Sequence, residues 1–325
     1  MKILHIAVKK EEGDVRLDRW LRRQYPEMSQ GVIQKLCRTG QVRVDGKRVQ
    51  AATHLHENQV VRVPVSDGEQ KTAKSTKPID EKWARQIKDW VIYSDKDLFV
   101  LNKPSGVAVQ GGSKIGQHID GLLEVLQGQS DYRPVLVHRL DRDTSGLLLI
   151  ARHPSAAAKL AAAFRGRDIK KVYWAITIRR PSPLSGRIDL PLVKIGDANG
   201  SLMYPADIKD KEAQRAITEY EVKDYAARKL AWVELYPLTG RTHQLRVHCA
   251  AMKNPILGDT KYNEEMPFLD GFPKKLHLHA RHLDIPHPSG GRLVIEADLP
   301  EHMKDTFEHL GFIVSDAMAP RRSKS

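Results

Sequence analysis

Between Asp67 and Lys77 the sequence DGEQKTAKSTK has no apolar period and is rich in Lys, Thr, Ser and Gly. A stretch like this has nothing to bury and reads as a flexible linker. The chain must therefore fold as two units of unequal size, each with its own core. The expected boundaries are 14–66 for a small unit, 67–82 for the linker and 83–312 for a large unit. Residues 313–325 read as a frayed basic tail.

Composition narrows the function classes. At 325 residues, 41% hydrophobic and 29% charged, the chain can bury a core and keep a charged surface. It has no run of about 18 apolar residues, so no membrane-spanning helix is expected. Met1 to Val15 mixes Lys with Glu and Asp, unlike a secretory signal or a transit peptide. Cys37 and Cys249 are far apart and build neither a disulfide framework nor a metal-ligand spacing. A reducing, cytoplasmic setting is the natural expectation. The formal net charge of +13 favours a polyanionic partner.

The small unit has a helical beat at Leu17, Trp20 and Leu21. Ser29 is placed to cap a second helix that would turn Val32, Ile33 and Leu36 inward and end near Gly40. Asp45-Gly46 marks a two-residue hairpin, and Gln59 to Val63 a further strand. From Arg16 to Arg48 there are nine Lys or Arg against three acidic residues. Arg16, Arg19, Arg23, Lys35 and Arg38 lie off the apolar positions, so they can share one basic face suited to phosphates. The ordered pattern RLDRWL, VIQKLCRTGQVRVDGKRV and ENQVVRVP resembles the small RNA-binding domain named after ribosomal protein S-four.

The large unit clusters its strands, at Leu98 to Leu101, Tyr173 to Ile178, Ile217 to Val222, Leu230 to Leu235 and Leu276 to Ile285. Pro154 to Phe164 and Thr242 to Met252 read as helices. Without a regular βαβ beat, the expected class is α+β, a mixed, mainly antiparallel sheet with flanking helices.

Two polar stretches can carry chemistry. Val135 to Arg152 sets a polar loop, HRLDRDTSG, between apolar strand residues, where a scaffold fixes reactive groups and a loop exposes them. It is also ordinary turn chemistry. Ser145 lacks the glycine two residues before a hydrolase nucleophile. QGGSKIG lacks the ending of a phosphate-binding P-loop. His277, His279 and His282 have no accompanying carboxylate cluster, so no metal is expected. Pro237 to His248 leads a turn into a helix start bearing Arg241, His243, Gln244 and Arg246, which suits either an anion or a capped surface helix.

Taken together, NKPSG, HRLDRDTSG, KVYWAI, TGRTHQLRVH and PILGDTKY, in this order across Val91 to Gly311, resemble the pseudouridine synthases that modify large-subunit ribosomal RNA in bacteria. The resemblance implies Asp141 as the nucleophilic aspartate, Tyr173 as the active-site tyrosine and Arg246 as the arginine paired with the aspartate. It implies that Arg139 fills or props the space of a flipped base, and it puts Arg241, His243 and Gln244 on the substrate side. Asp143 falls outside the aspartate position and is taken as structural. An isomerisation of this kind needs no cofactor, and a monomer acting on structured ribosomal RNA is expected. An inactive assembly factor and a transfer-RNA enzyme are the alternatives.

Overall fold

The computed structural model describes residues 2–25, 28, 30–65, 80–111, 117–166, 168–197, 200–227 and 229–314. The expected linker at 67–77, Ser29 and residues 315–325 lie outside these.

Alternation builds the small unit. Strands Lys2–Ala7 and Val60–Val65 pair antiparallel, and Arg43–Val44 and Lys47–Arg48 extend the sheet. Val61 and Val63 are fully buried while Val60 faces out, the period of two that a half-covered sheet imposes. The first strand lies ahead of residue 14. Asp45 and Gly46 take positive φ of 49° and 75° at the hairpin, the backbone that a tight antiparallel turn requires. Helices Leu17–Gln24 and Gln30–Arg38 cover one face with Leu17, Trp20, Leu21, Ile33, Leu36 and Cys37. Val32 was expected inward but is 45% exposed. Only positions 33, 36 and 37 keep the three-to-four spacing that faces the core.

Among the described residues, the large unit is built on a ten-stranded sheet. Its main path runs Ser185–Asp189, Ile217–Ala226, Leu230–Pro237, Lys170–Ile178, Leu278–Pro286, Ser145–Ala151, Leu98–Lys103 and Val91–Ser94. Helices Glu81–Asp89, Pro154–Arg165, Gln244–Ala251 and Glu301–Leu310 pack around it. Among the described residues one pairing is parallel, Ser145–Ala151 with Leu278–Pro286; the others are antiparallel. The expected mixed, mainly antiparallel α+β class is what the chain adopts.

Glycine makes the parallel seam. Gly146 has φ of 106°, and a Cβ there would sit 2.3 Å from the Ala280 carbonyl oxygen. Only a residue without a side chain lets the two backbones meet so closely. The loop before Ser145 is thereby brought to the middle of the sheet. Its apolar anchors belong to a cluster of Leu98, Val100, Leu101, Leu140, Leu147, Leu149 and Ile285. Opposite, Trp174, Trp232, Met303 and Phe307 hold the last helix down.

His138, His277 and His279 are among the histidines packed into this unit. His138 accepts the Leu149 N–H at 2.8 Å, His279 hydrogen-bonds Ser145 Oγ at 2.9 Å, and His277 bonds Thr306 Oγ1 at 2.8 Å. Burial pulls the pKa of His138 and His279 down to about 3 and that of His277 to about 4, from 6.5. The folded state therefore keeps them neutral, while the unfolded chain takes up protons as pH falls below its own value near 6.5. Stability from this source is complete above that value and is lost as pH falls toward the folded values. The melting temperature is expected to drop steadily between about pH 7 and about pH 5. Thermal unfolding across that window checks it, and a flat curve contradicts it.

Candidate active site

The loop between strands Val135–Leu136 and Ser145–Ala151 is pinned from beneath. Leu140 is buried in the core, and Asp141 beside it turns into a cavity. Lys103 is fully buried, and its Nζ donates to the carbonyl oxygens of Pro104, Val107 and Arg142 at 2.8, 2.9 and 2.8 Å. Burial draws its pKa down to about 7, against the pull of Asp143 and Asp141. The Ser105 hydroxyl donates to the Asp143 carbonyl at 2.7 Å, and the Gly106 N–H to that of Arg142 at 3.0 Å. The NKPSG turn is thus the floor on which the aspartate loop stands. Ser145 belongs to the strand and is buried.

The cavity is about 130 Å³ and is lined by Asp141, Lys171, Tyr173, His243, Arg246 and Leu278, among others. That is well below the roughly 300–1,000 Å³ of drug-sized pockets and suits a single flat ring. Asp141 presents both carboxylate oxygens to donors: Oδ2 lies 3.8 Å from Arg246 NH1 and Oδ1 lies 3.8 Å from His243 Nε2. Burial, with the Asp141 charge nearby, pushes the Tyr173 hydroxyl far above the ordinary phenol range. Tyr173 is therefore a protonated ring on the wall. Lys171 shares that wall, and burial lowers its pKa.

Arg246 is 3% exposed, and its main partner is Asp259, itself fully buried. Nε and NH2 donate to the two Asp259 oxygens at 2.8 and 2.6 Å. Burial works against the guanidinium charge, but these bonds and the charge of Asp259 outweigh it and raise its pKa. Asp259 is itself held by the backbone N–H groups of Lys261 and Tyr262 at 2.9 and 3.2 Å. Gly258 makes this turn: a Cβ there would lie 1.8 Å from the Lys275 carbonyl oxygen.

Other expected substrate residues divide. Arg139 and Arg241 are exposed, with Arg139 NH1 3.4 Å from Gln110 Oε1 and Arg241 Nε donating to the Arg215 carbonyl at 3.1 Å. Gln244 is engaged with the protein itself. It borders the cavity, but its amide donates to Ile217 O and Thr218 Oγ1 and accepts from Thr239 Oγ1 and Arg241 N. With both ends engaged it braces the turn and has nothing left for a substrate. The helix begins at Gln244, two residues later than expected, because His243 is left-handed at φ 52°.

In the small unit Arg19, Lys35 and Arg38 are exposed. Arg16 is tied to buried Asp18 through two bonds of 3.1 and 2.7 Å. Arg23 lines a cleft of about 580 Å³ together with Lys9, Arg22 and Arg133. Asp259, Tyr262, Lys171 and Lys103 were given no role from the sequence, although GDTKY and NKPSG contain three of them. No helix of the described residues is long and apolar enough to cross a membrane.

Residues 97–251 match the family described as RNA pseudouridylate synthase, and residues 15–61 match the S4 domain. The ribosomal large subunit pseudouridine synthase C of Rickettsia typhi is 38% identical over 88% of this chain and 94% of its own. That of Vibrio cholerae is 34% identical over 93% and 95%. The chain belongs to the RNA pseudouridylate synthase family. Among solved structures, human RNA pseudouridylate synthase domain containing 4 shares 30% identity and a TM-score of 0.59, covering 71% of this chain and 96% of that one. As a pseudouridine synthase this chain is an enzyme, and RNA is its substrate.

Removing Asp259 strands a buried guanidinium. Asp259→Ala is expected to destabilise the fold by about 3–5 kcal/mol, the range for breaking a buried pair from one side. Urea unfolding measures it; a loss under about 1 kcal/mol contradicts the burial argument.

Proposed function

We propose that this chain converts uridines to pseudouridine in large-subunit ribosomal RNA, with Asp141 as the reacting carboxylate. The observation that supports this most is the setting of Asp141, between a guanidinium and an imidazole at the edge of a ring-sized cavity walled by Tyr173. The ribosomal target rests on the curated relatives, named for the large subunit and matched over nearly their whole length.

In the reaction the bond from the anomeric carbon to N1 of uracil breaks. The freed uracil turns, and its ring carbon five forms a new bond to the same sugar carbon. The hydrogen on carbon five leaves, and N1 gains one, so the atoms balance without a cofactor. Asp141 either attacks the anomeric carbon or removes the neighbouring sugar proton to give a glycal. Tyr173, held protonated by burial, offers a stacking face for the uracil.

Reaching this cavity requires the target base to leave its stack, at a cost of a few kcal/mol. Exposed Arg139 is suited to fill the vacated space. Arg241, with Arg19, Lys35 and Arg38 on the small unit, would contact phosphates and add affinity without reading sequence. The units 14–66 and 83–312 would then divide grip from chemistry. One chain supplies every group invoked, so a monomer working in the cytoplasm suffices.

Asp141→Asn is expected to reduce pseudouridine formation by at least about a thousandfold while RNA affinity changes by less than about twofold. Quantifying pseudouridine in total RNA from cells carrying each version tests activity and target together. Normal modification by the variant would overturn the role of Asp141. Full rescue of a deletion phenotype without modification would favour a silent assembly factor, and loss of pseudouridine from transfer RNA alone would move the target.

A further inference from the structure

A residue with a side chain is strained in the left-handed region, and such strain persists only where its surroundings enforce it. His243 is in that region, at φ 52° and ψ 14°, one residue before the helix Gln244–Ala251. The backbone turn directs the imidazole back toward the aspartate loop. One ring nitrogen, Nδ1, lies 2.7 Å from the Tyr262 hydroxyl; the other, Nε2, lies 3.8 Å from Asp141 Oδ1. The two rings meet edge to face with centroids 5.6 Å apart.

The Tyr262 hydroxyl is placed to set the tautomer. Its oxygen already receives the Met203 N–H at 3.1 Å, from the strand Gly200–Pro205. Its own hydrogen then has His243 Nδ1 as the acceptor in range. A neutral imidazole that accepts at Nδ1 carries its hydrogen on Nε2, so an N–H faces Asp141. The Asp141 carboxylate is thereby approached by two unlike donors, the Arg246 cation at Oδ2 and a neutral N–H at Oδ1.

We propose that His243 is a positioning residue for Asp141, and that Tyr262 fixes the imidazole in the tautomer whose Nε2–H orients Oδ1. The inference rests on the reading of Asp141 as the reacting carboxylate. A neutral donor turns the carboxylate without quenching it, whereas a second cation would hold both oxygens as an unreactive ion pair. The charged and titratable groups facing His243 are Asp141, Arg246, Lys261, Asp259 and Tyr262. Burial, the largest influence, keeps the ring neutral against the pull of Asp141. Gaps of 3.8 Å are long for hydrogen bonds; contacts of this kind commonly tighten when substrate enters and water leaves.

The test compares full-length His243→Gln, His243→Leu, Tyr262→Phe and Asp141→Asn in single-turnover assays on ribosomal RNA, with RNA affinity measured separately. Gln and Leu place equal strain on the backbone, but only Gln offers an N–H near the position of Nε2. The expected result is a loss in rate of about a hundredfold for Leu and about three- to tenfold for Gln and for Tyr262→Phe, with RNA affinity changed by less than about twofold. Equal rates for Gln and Leu, or a wild-type rate for Tyr262→Phe, would overturn the positioning role. If Asp141→Asn is inactive while the other three variants match wild type, this inference alone fails. If Asp141→Asn stays active, the reading beneath it fails.

Discussion

One guanidinium organises the centre of this enzyme. Arg246 is buried and lies between two carboxylates, held by Asp259 through two short bonds and facing Asp141 across a gap. The asymmetry of the two contacts decides what each carboxylate can do. Asp259 satisfies the burial requirement of the cation, so Asp141 need not. Were Asp141 the main partner, its oxygens would be locked in a salt bridge and unavailable to a sugar carbon. A charge fully paired on one side can therefore supply an electrostatic field on the other without trapping the carboxylate proposed to react.

This geometry depends on backbone that only glycine permits. Gly146 lets the aspartate strand run parallel against Leu278–Pro286, and Gly258 folds the Asp259 turn against Lys275. The first delivers the Asp141 loop to the centre of the sheet, and the second brings Asp259 under Arg246. Lys103 then fixes the loop from below by accepting the cost of its own burial, drawing three carbonyl oxygens around one ammonium. Each device constrains position rather than supplying a reactive group.

The local elements were legible in the residues because their signals are local. The period-two strands, the Leu17-Trp20-Leu21 helix and the Asp45-Gly46 hairpin depend on a few neighbours in sequence. Asp141, His243 and Arg246 sit in dense polar motifs, Tyr173 was singled out from an apolar strand by resemblance alone, and all four line one cavity. What lay beyond reach was pairing across sequence distance. Nothing in GDTKY says that its aspartate folds under an arginine thirteen positions earlier, or that its tyrosine meets His243. The bracing bonds of Gln244 were out of reach for the same reason. A polar residue at a helix start has the same sequence appearance whether its amide faces a ligand or braces Ile217 and Thr218. Val32 failed more simply, because an apolar residue adjacent to the buried stripe can face solvent without penalty.

The two units also separate two demands that conflict within one site. Gripping RNA, as proposed for Arg19, Lys35 and Arg38, calls for exposed cations, and all three are exposed. The proposed role of Asp141 calls instead for a neighbouring cation that is buried and already satisfied, and Arg246 is both. Exposed arginines in the cavity would draw phosphate into a space meant for a neutral ring. On the proposed reading, placing most of the grip on a separate basic unit leaves the cavity small and suited to a base that has left its stack. Arg139 and Arg241 stand at the boundary between these regimes, solvent-exposed yet bordering the cavity. That is where a phosphate backbone must pass if its base is to reach Asp141.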